Sequence, residues 1–128
     1  MTATLARTIR HQAFDHLADR RLHRELAYVG GHWTAGEKGE GFDVSDPATG
    51  ANLAWVAALG PIETVRAIDA ASAAFPAWRA LLPQQRTAIL HRWFELIVDA
   101  KEDLALLMTL EQGKPLEEAR GEIDYGAS

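Results

Sequence analysis

The chain has 128 residues, of which 48% are hydrophobic and 24% charged, a composition typical of a folded globular protein with one modest core. Its formal net charge of −5 argues against nucleic-acid binding, because phosphate neutralisation needs a basic surface. The lack of cysteine excludes disulfides, thiolate metal sites and a cysteine nucleophile. No apolar run is long enough to span a bilayer, so we expect no membrane partner and a cytoplasmic location.

Residues 1–24 form a basic segment at the start of the chain. The segment is rich in arginine but also holds Asp15 and Asp19, whereas organelle-targeting segments normally avoid acidic residues. Because chain termini are commonly mobile, we interpret these residues as a solvated, partly helical arm.

Residues 25–59 predict a small antiparallel β-meander. Two short strands, at 26–29 and 32–34, flank a Gly-Gly pair that can take the positive φ values of a tight hairpin turn. Further strands are expected at 42–45 and 53–57. The segment between them, Asp-Pro-Ala-Thr-Gly, predicts a turn because proline fixes φ and glycine permits the reversal.

Residues 60–128 predict a helical region, because the hydrophobic period changes from two to about 3.6 near Gly60. Pro61 suits the first position of a helix, and Glu63 lies near its positive end. Pro76 is expected to end this helix, since its ring and missing N–H interrupt the hydrogen-bond ladder. One face of the helix carries Ile62, Val65, Ile68, Ser72 and Phe75.

Three more helices are expected in the rest of the chain. Pro83 opens the second, whose apolar stripe is Ile89, Leu90, Trp93, Ile97 and Ala100. A third, amphipathic over 104–110, ends at Gly113, a residue suited to a helix C-terminus. Pro115 precedes the last helix. The meander and these helices together predict the α+β fold class.

These patterns alone identify no catalytic and no cofactor-binding residue. The five histidines lack the i, i+4 spacing that places two imidazoles on one metal ion, and we interpret them as surface residues. The glycines at 39 and 41 precede a strand, whereas a dinucleotide-binding loop must follow a strand and open a helix. Residue spacing therefore leads to an α+β unit without chemistry of its own.

Five segments, in order along the chain, resemble the N-terminal region of the aldehyde dehydrogenase superfamily, and most of all its succinate-semialdehyde dehydrogenases. The resemblance extends from about Leu22 to Ser128. The segments are Tyr-Val-Gly-Gly-His-Trp at 28–33, Asp-Pro-Ala-Thr-Gly at 46–50, Pro-Ala-Trp-Arg at 76–79, Arg-Thr-Ala-Ile-Leu-His-Arg-Trp-Phe at 86–94, and Met-Thr-Leu-Glu-Gln-Gly-Lys-Pro-Leu at 108–116 with Glu-Ala-Arg-Gly-Glu-Ile at 118–123.

The resemblance implies that the chain is part of a larger α/β fold, in which residues 60–128 begin a truncated cofactor-binding domain. In this family a cysteine thiolate attacks an aldehyde, NAD or NADP accepts hydride, and a base activates water against the thioester. The groups that do this lie beyond the region matched here. We therefore expect this chain alone to be inactive and to bind no nicotinamide cofactor.

The resemblance also implies a monovalent-cation site. Some relatives hold the ion between two backbone carbonyls before the Asp-Pro turn and an acidic side chain before the Gly-Lys-Pro segment. The matching positions are Val44, Ser45 and Glu111, and Glu111 stands where those relatives carry the shorter Asp. The alternative is that Glu111 is an exposed side chain without an ion.

Two functional hypotheses follow. In the first, the chain is the N-terminal scaffold fragment of an NAD(P)-dependent succinate-semialdehyde dehydrogenase, and its partner is the remainder of that enzyme. In the second, it is a catalytically inactive, stand-alone interaction module derived from the same fold. Because helices that pack on a larger domain leave apolar faces uncovered, we expect the isolated chain to self-associate.

Overall fold

The structure is a computed structural model that describes residues 12–128, and within them four strands are followed by four helices, which confirms the predicted fold class. Two short 3-10 helices, Gln12–His16 and Arg20–Leu22, come first. The strands are β1 (Ala27–Val29), β2 (His32–Thr34), β3 (Gly41–Ser45) and β4 (Asn52–Ala57); the helices are α1 (Pro61–Ala80), α2 (Pro83–Asp99), α3 (Lys101–Gln112) and α4 (Leu116–Ala127).

The strands form two separate antiparallel hairpins, β1–β2 and β3–β4, instead of one continuous meander. In the first hairpin, Gly30 and Gly31 make the predicted turn with φ values of 58° and 89°. The loop after β2 leads to β3, which pairs with β4 and not with β2. Within this loop the Glu37 N–H donates to the Glu63 carboxylate on α1 over 3.0 Å. That bond holds the loop against the helix.

A β-bulge in the second hairpin decides which residues of β4 are buried. Val44 pairs with Ala54 and Ser45 pairs with Asn52, so Leu53 is the extra residue on its strand. A bulge breaks the alternation of side chains between the two faces of a strand. Leu53 and Ala54, which are consecutive, are consequently both buried.

The main core cluster joins β4 to the start of the chain. It consists of Phe14, Leu17, Leu53 and Ala54, and three leucines of α3 pack against it: Leu106, Leu107 and Leu110. Phe14 and Leu17 are therefore not solvated as the arm interpretation expects, whereas the other residues of 12–24 are exposed or half-buried. The earlier part of the predicted arm lies outside the described residues.

Helix α1 begins at Pro61 as predicted but continues through Pro76 to Ala80, so the expectation that Pro76 ends it is wrong. The missing N–H of proline frees the carbonyl of Ser72, and Ser72 is exposed, so solvent can satisfy that carbonyl. The helix stops where Leu82 must be extended, with ψ at 150°, before Pro83. Pro83 opens α2 as predicted.

Helices α3 and α4 pack against each other as an antiparallel-type pair around the buried Ala105 and Ala119. The turn between them contains Gly113, which ends α3 in the left-handed conformation at φ 74°, as predicted. Arg120 on α4 binds Glu102 on α3 through its guanidinium over 2.7 Å. Among the described helices, none is long and apolar enough to cross a membrane.

Candidate functional site

The β3–β4 turn meets the C-terminal end of α3 at one junction, and the three predicted cation ligands belong to β3 and to the last turn of α3. Val44 is half-buried in β3, Ser45 is the exposed last residue of that strand, and Glu111 is exposed in the last turn of α3. The contact between the two elements is close, because a Cβ atom added to Gly113 would lie 2.9 Å from Cγ of Pro47. Coordination of an ion by these residues stays a prediction.

The turn on one side of this junction is held by the buried Asp46. Its carboxylate accepts from the Ala48 N–H over 2.8 Å and from the Thr49 hydroxyl over 2.7 Å. Its backbone carbonyl accepts from the Gly50 N–H over 2.8 Å. These bonds fix the turn beside Gly113. On the other side, the negative end of the α3 dipole adds to the charge of Glu111, which favours a cation there.

The start of α1 is the one place in the described residues where a strand leads into a helix, and it does not fit a dinucleotide. The Glu63 carboxylate accepts from the Gly60 N–H and from the Glu37 N–H, each over 3.0 Å. These hydrogen bonds lower the pKa of Glu63 below 4.5, and the bond from the Glu37 N–H has the largest effect. A carboxylate therefore occupies the helix end where a pyrophosphate would have to bind.

The cleft beside this helix end, about 290 Å³ in volume, is lined by both charged and apolar groups: Val29, Thr34, Gly36, Glu37, Leu59, Glu63 and Arg66. Its charged side chains bind each other, since Arg66 pairs with Glu37 over 2.5 Å. Within the described part of the chain, no group of three or more His, Cys, Asp or Glu residues could hold a metal ion.

Sequence reasoning did not single out Asp103, which is a buried carboxylate on the first turn of α3. It is 9% exposed and accepts from the backbone N–H groups of Ala18, over 2.9 Å, and Asp19, over 2.7 Å. An acidic residue on a first helical turn is usually explained by the helix dipole alone. No signal in the sequence joins residues more than 80 positions apart.

Helices α1 and α2 carry most of the exposed large apolar side chains of the described residues, and neither helix contains a buried residue. We call the apolar surfaces of these two helices the α1 face and the α2 face. The α1 face consists of Ile62, Val65, Ile68 and Phe75, and the α2 face of Ile89, Leu90, Trp93, Phe94 and Leu96, all of them exposed. Exposed apolar patches of this kind mark interaction surfaces.

Comparison with known proteins assigns the family. The model of the aldehyde dehydrogenase family matches residues 33–128. The chain is 52% identical over 112 residues to a glutarate-semialdehyde dehydrogenase of Pseudomonas putida and 52% identical to the NADP(+) succinate-semialdehyde dehydrogenase of Escherichia coli. A solved succinate-semialdehyde dehydrogenase from Burkholderia pseudomallei is 50% identical, with a TM-score of 0.86.

Each of these matches covers 88% of this chain but 23% of the relative, so the chain spans about a quarter of the length of the curated relatives. The family match begins within β2 and extends through the β3–β4 hairpin and all four described helices. The chain belongs to the aldehyde dehydrogenase family.

Proposed function

We propose that this chain is the N-terminal scaffold of an NAD(P)-dependent dehydrogenase that oxidises a short semialdehyde, such as succinate semialdehyde, to the dicarboxylic acid. The observation that carries the proposal is the 52% identity to two semialdehyde dehydrogenases across a chain whose α1 and α2 faces are uncovered. The reaction converts aldehyde, water and NAD(P)⁺ into acid, NAD(P)H and a proton. A cytoplasmic location belongs to the same proposal.

The substrate class follows from the names of the two relatives. Glutarate semialdehyde and succinate semialdehyde are both short chains with an aldehyde at one end and a carboxylate at the other. We infer that the whole enzyme accepts this class. This chain would contribute neither the nucleophile, because it has no cysteine, nor a pyrophosphate-binding loop.

The partner that would cover the α1 and α2 faces is the rest of the dehydrogenase. The matched region is 23% of each relative, so roughly three-quarters of a relative's length lies outside it and is available to cover these faces. Burial of apolar surface contributes about 25 cal/mol per Å². A few hundred Å² of such surface therefore stabilises an assembly by several kcal/mol.

A chimera tests the proposal. The matched region of the Escherichia coli relative is replaced by the corresponding residues of this chain, and oxidation of succinate semialdehyde is followed by NADPH absorbance. We expect activity within about tenfold of the parent, equivalent to about 1.4 kcal/mol. A folded chimera of native size that has lost its activity would contradict the proposal.

Two substitutions in the chimera sharpen the test. Ile68→Asp places a charge on the α1 face and should abolish assembly and activity, because a buried unpaired carboxylate is strongly destabilising. Lys38→Asp, in the exposed loop before β3, is the matched control and should leave both unchanged. If the isolated chain is instead a stable monomer and Ile68→Asp leaves the chimera active, the interaction-module hypothesis is favoured.

We also propose that the junction at Val44, Ser45 and Glu111 binds a monovalent cation, supported by the closeness of the β3–β4 turn to the end of α3. Potassium or sodium should then raise the melting temperature of the chimera above its value in a bulky organic cation. The variant Glu111→Gln should remove that difference. Equal melting temperatures in all three salts would refute the site.

A further inference from the structure

The first described residues of the chain pack as part of the core. Phe14 and Leu17 supply two of the four residues of the main core cluster, and β4 supplies the other two. Leu53 is 1% exposed in their presence. Since Phe14 and Leu17 lie in the same cluster as Leu53, removing them would open part of the β4 surface to solvent.

Local contacts fold this segment back on itself. The Leu22 N–H donates to the carbonyl oxygen of Asp19 over 3.1 Å, and the Asp19 carboxylate binds the guanidinium of Arg21 over 2.8 Å. The imidazole of His23 stacks on the ring of Phe14, with 4.0 Å between ring centroids. Residues 12–23 therefore fold back on themselves as one unit, which we call the strap.

Asp103 holds the strap to α3. Each of its two carboxylate oxygens accepts from one backbone N–H, Ala18 to Oδ1 and Asp19 to Oδ2. Hydrogen bonds to an ionised acceptor are about twice as strong as those between neutral groups. The carboxylate is nearly buried, so substitution by a group that cannot accept both bonds leaves backbone donors without a partner.

We infer that residues 12–23 are a strap, latched by Asp103, that closes the core between β4 and α3 and thereby holds the β3–β4 hairpin on α3. Val44 of that hairpin packs against the same cluster as Phe14 and Leu17. Unlatching the strap consequently loosens the hairpin as well as the strap. The inference does not depend on the dehydrogenase activity, because every contact lies within this chain.

Hydrogen–deuterium exchange on the full chain tests the latch. Asp103→Asn keeps the shape of the side chain but replaces one acceptor oxygen with an NH₂ donor. The amides of Ala18 and Asp19 should then exchange about ten- to a hundredfold faster, the effect of losing hydrogen bonds to a charged group. Amides of Val44 and Ala54 should also exchange faster, while those of α4 stay protected.

Glu102→Gln is the matched control, since it changes the neighbouring carboxylate to an amide but removes only surface pairs with Arg120. It should leave exchange of the strap unchanged. Unchanged exchange at Ala18 and Asp19 in Asp103→Asn, or an equal increase in Glu102→Gln, would overturn the latch.

Phe14→Ala provides a second variant in case Asp103→Asn unfolds the whole chain. It removes the strap's largest buried side chain and keeps Asp103 intact. Faster exchange at Ala54 with α4 still protected supports the strap. Unchanged exchange at Ala54 would show that the strap does not close this core, and would overturn the inference.

Discussion

The region built from the strap, β4 and α3 differs from the α1–α2 pair in where its apolar side chains lie. The first region buries Phe14, Leu53 and Ala105, whereas α1 and α2, with 20 and 17 residues, bury none. The helices of both regions have amphipathic sequences. The difference teaches that an apolar stripe identifies a helix but not its partner. Under the proposed function, the partner of the α1 and α2 faces is the rest of the dehydrogenase.

The largest expected effect is a difference in unfolding free energy between substitutions in these two regions. Leu53→Ala should destabilise the chain by about 2–5 kcal/mol, because it leaves a cavity in a packed core. Ile68→Ala, at a position 59% exposed, should change the free energy of unfolding by less than about 0.5 kcal/mol. Urea unfolding followed by tryptophan fluorescence measures both. Equal effects of the two substitutions would contradict the difference in burial between the two regions.

The elements were largely predictable because proline and glycine mark their ends locally. Pro61 and Pro83 begin helices, and Gly113 ends one, as their backbone preferences dictate. The prediction that Pro76 ends α1 is wrong because the proline penalty of a few kcal/mol is smaller than the stability of the helical turns on both sides, and solvent reaches the freed carbonyl. The backbone preference of a single proline does not show whether the surrounding helix is stable enough to contain it.

Contacts between distant residues were not predictable in the same way. The burial of Phe14 depends on Leu53, and the role of Asp103 depends on Ala18 and Asp19, all of them far apart in sequence. The cation-site prediction came from resemblance alone. The structure adds the close approach of Pro47 to Gly113, which brings the β3–β4 turn to the end of α3.

The next effect concerns the junction between the β3–β4 turn and the end of α3, where Gly113 lies. Gly113→Ala should destabilise the chain by about 1–3 kcal/mol, because alanine is strained at a positive φ and its Cβ would press on Pro47. Gly121→Ala is the control with the opposite sign: it lies within α4 with open space around it and should stabilise by about 0.5–1 kcal/mol. Thermal melts measure both, and the same sign for the pair would refute the assigned geometry.

Self-association of the isolated chain should depend on the α2 face. Trp93, at 63% exposure, is its largest side chain, and Trp93→Glu should weaken association at least about tenfold, or 1.4 kcal/mol. Sedimentation velocity at micromolar concentration measures the change. Arg92→Glu, on the neighbouring polar position, is the control. A parent chain that is already monomeric would contradict the expectation that the chain self-associates through the α2 face.

The smallest effect concerns acid sensitivity at the start of α1. Hydrogen bonds from the backbone N–H groups of Glu37 and Gly60 lower the pKa of Glu63 from 4.5. Because the folded pKa is the lower one, its contribution to stability is full above pH 4.5 and is lost as the pH falls through the folded value. Glu63→Gln should therefore be slightly less stable at pH 7 and converge with the parent in acid. A difference that grows on acidification would contradict this assignment.

The accessibility of the α1 face in the assembled enzyme tests the central claim most directly. The chain has no cysteine, so Ile68→Cys introduces a single thiol whose reaction with a maleimide is followed by mass spectrometry of its peptide. The rate is measured in the isolated chain, in the chimera with the Escherichia coli relative, and in urea as the reference. We predict reaction near the reference rate in the isolated chain and at least about tenfold slower in the chimera, because burial protects a thiol from reagents. Equal rates in the chain and in an active chimera would show that the rest of the dehydrogenase does not cover this face.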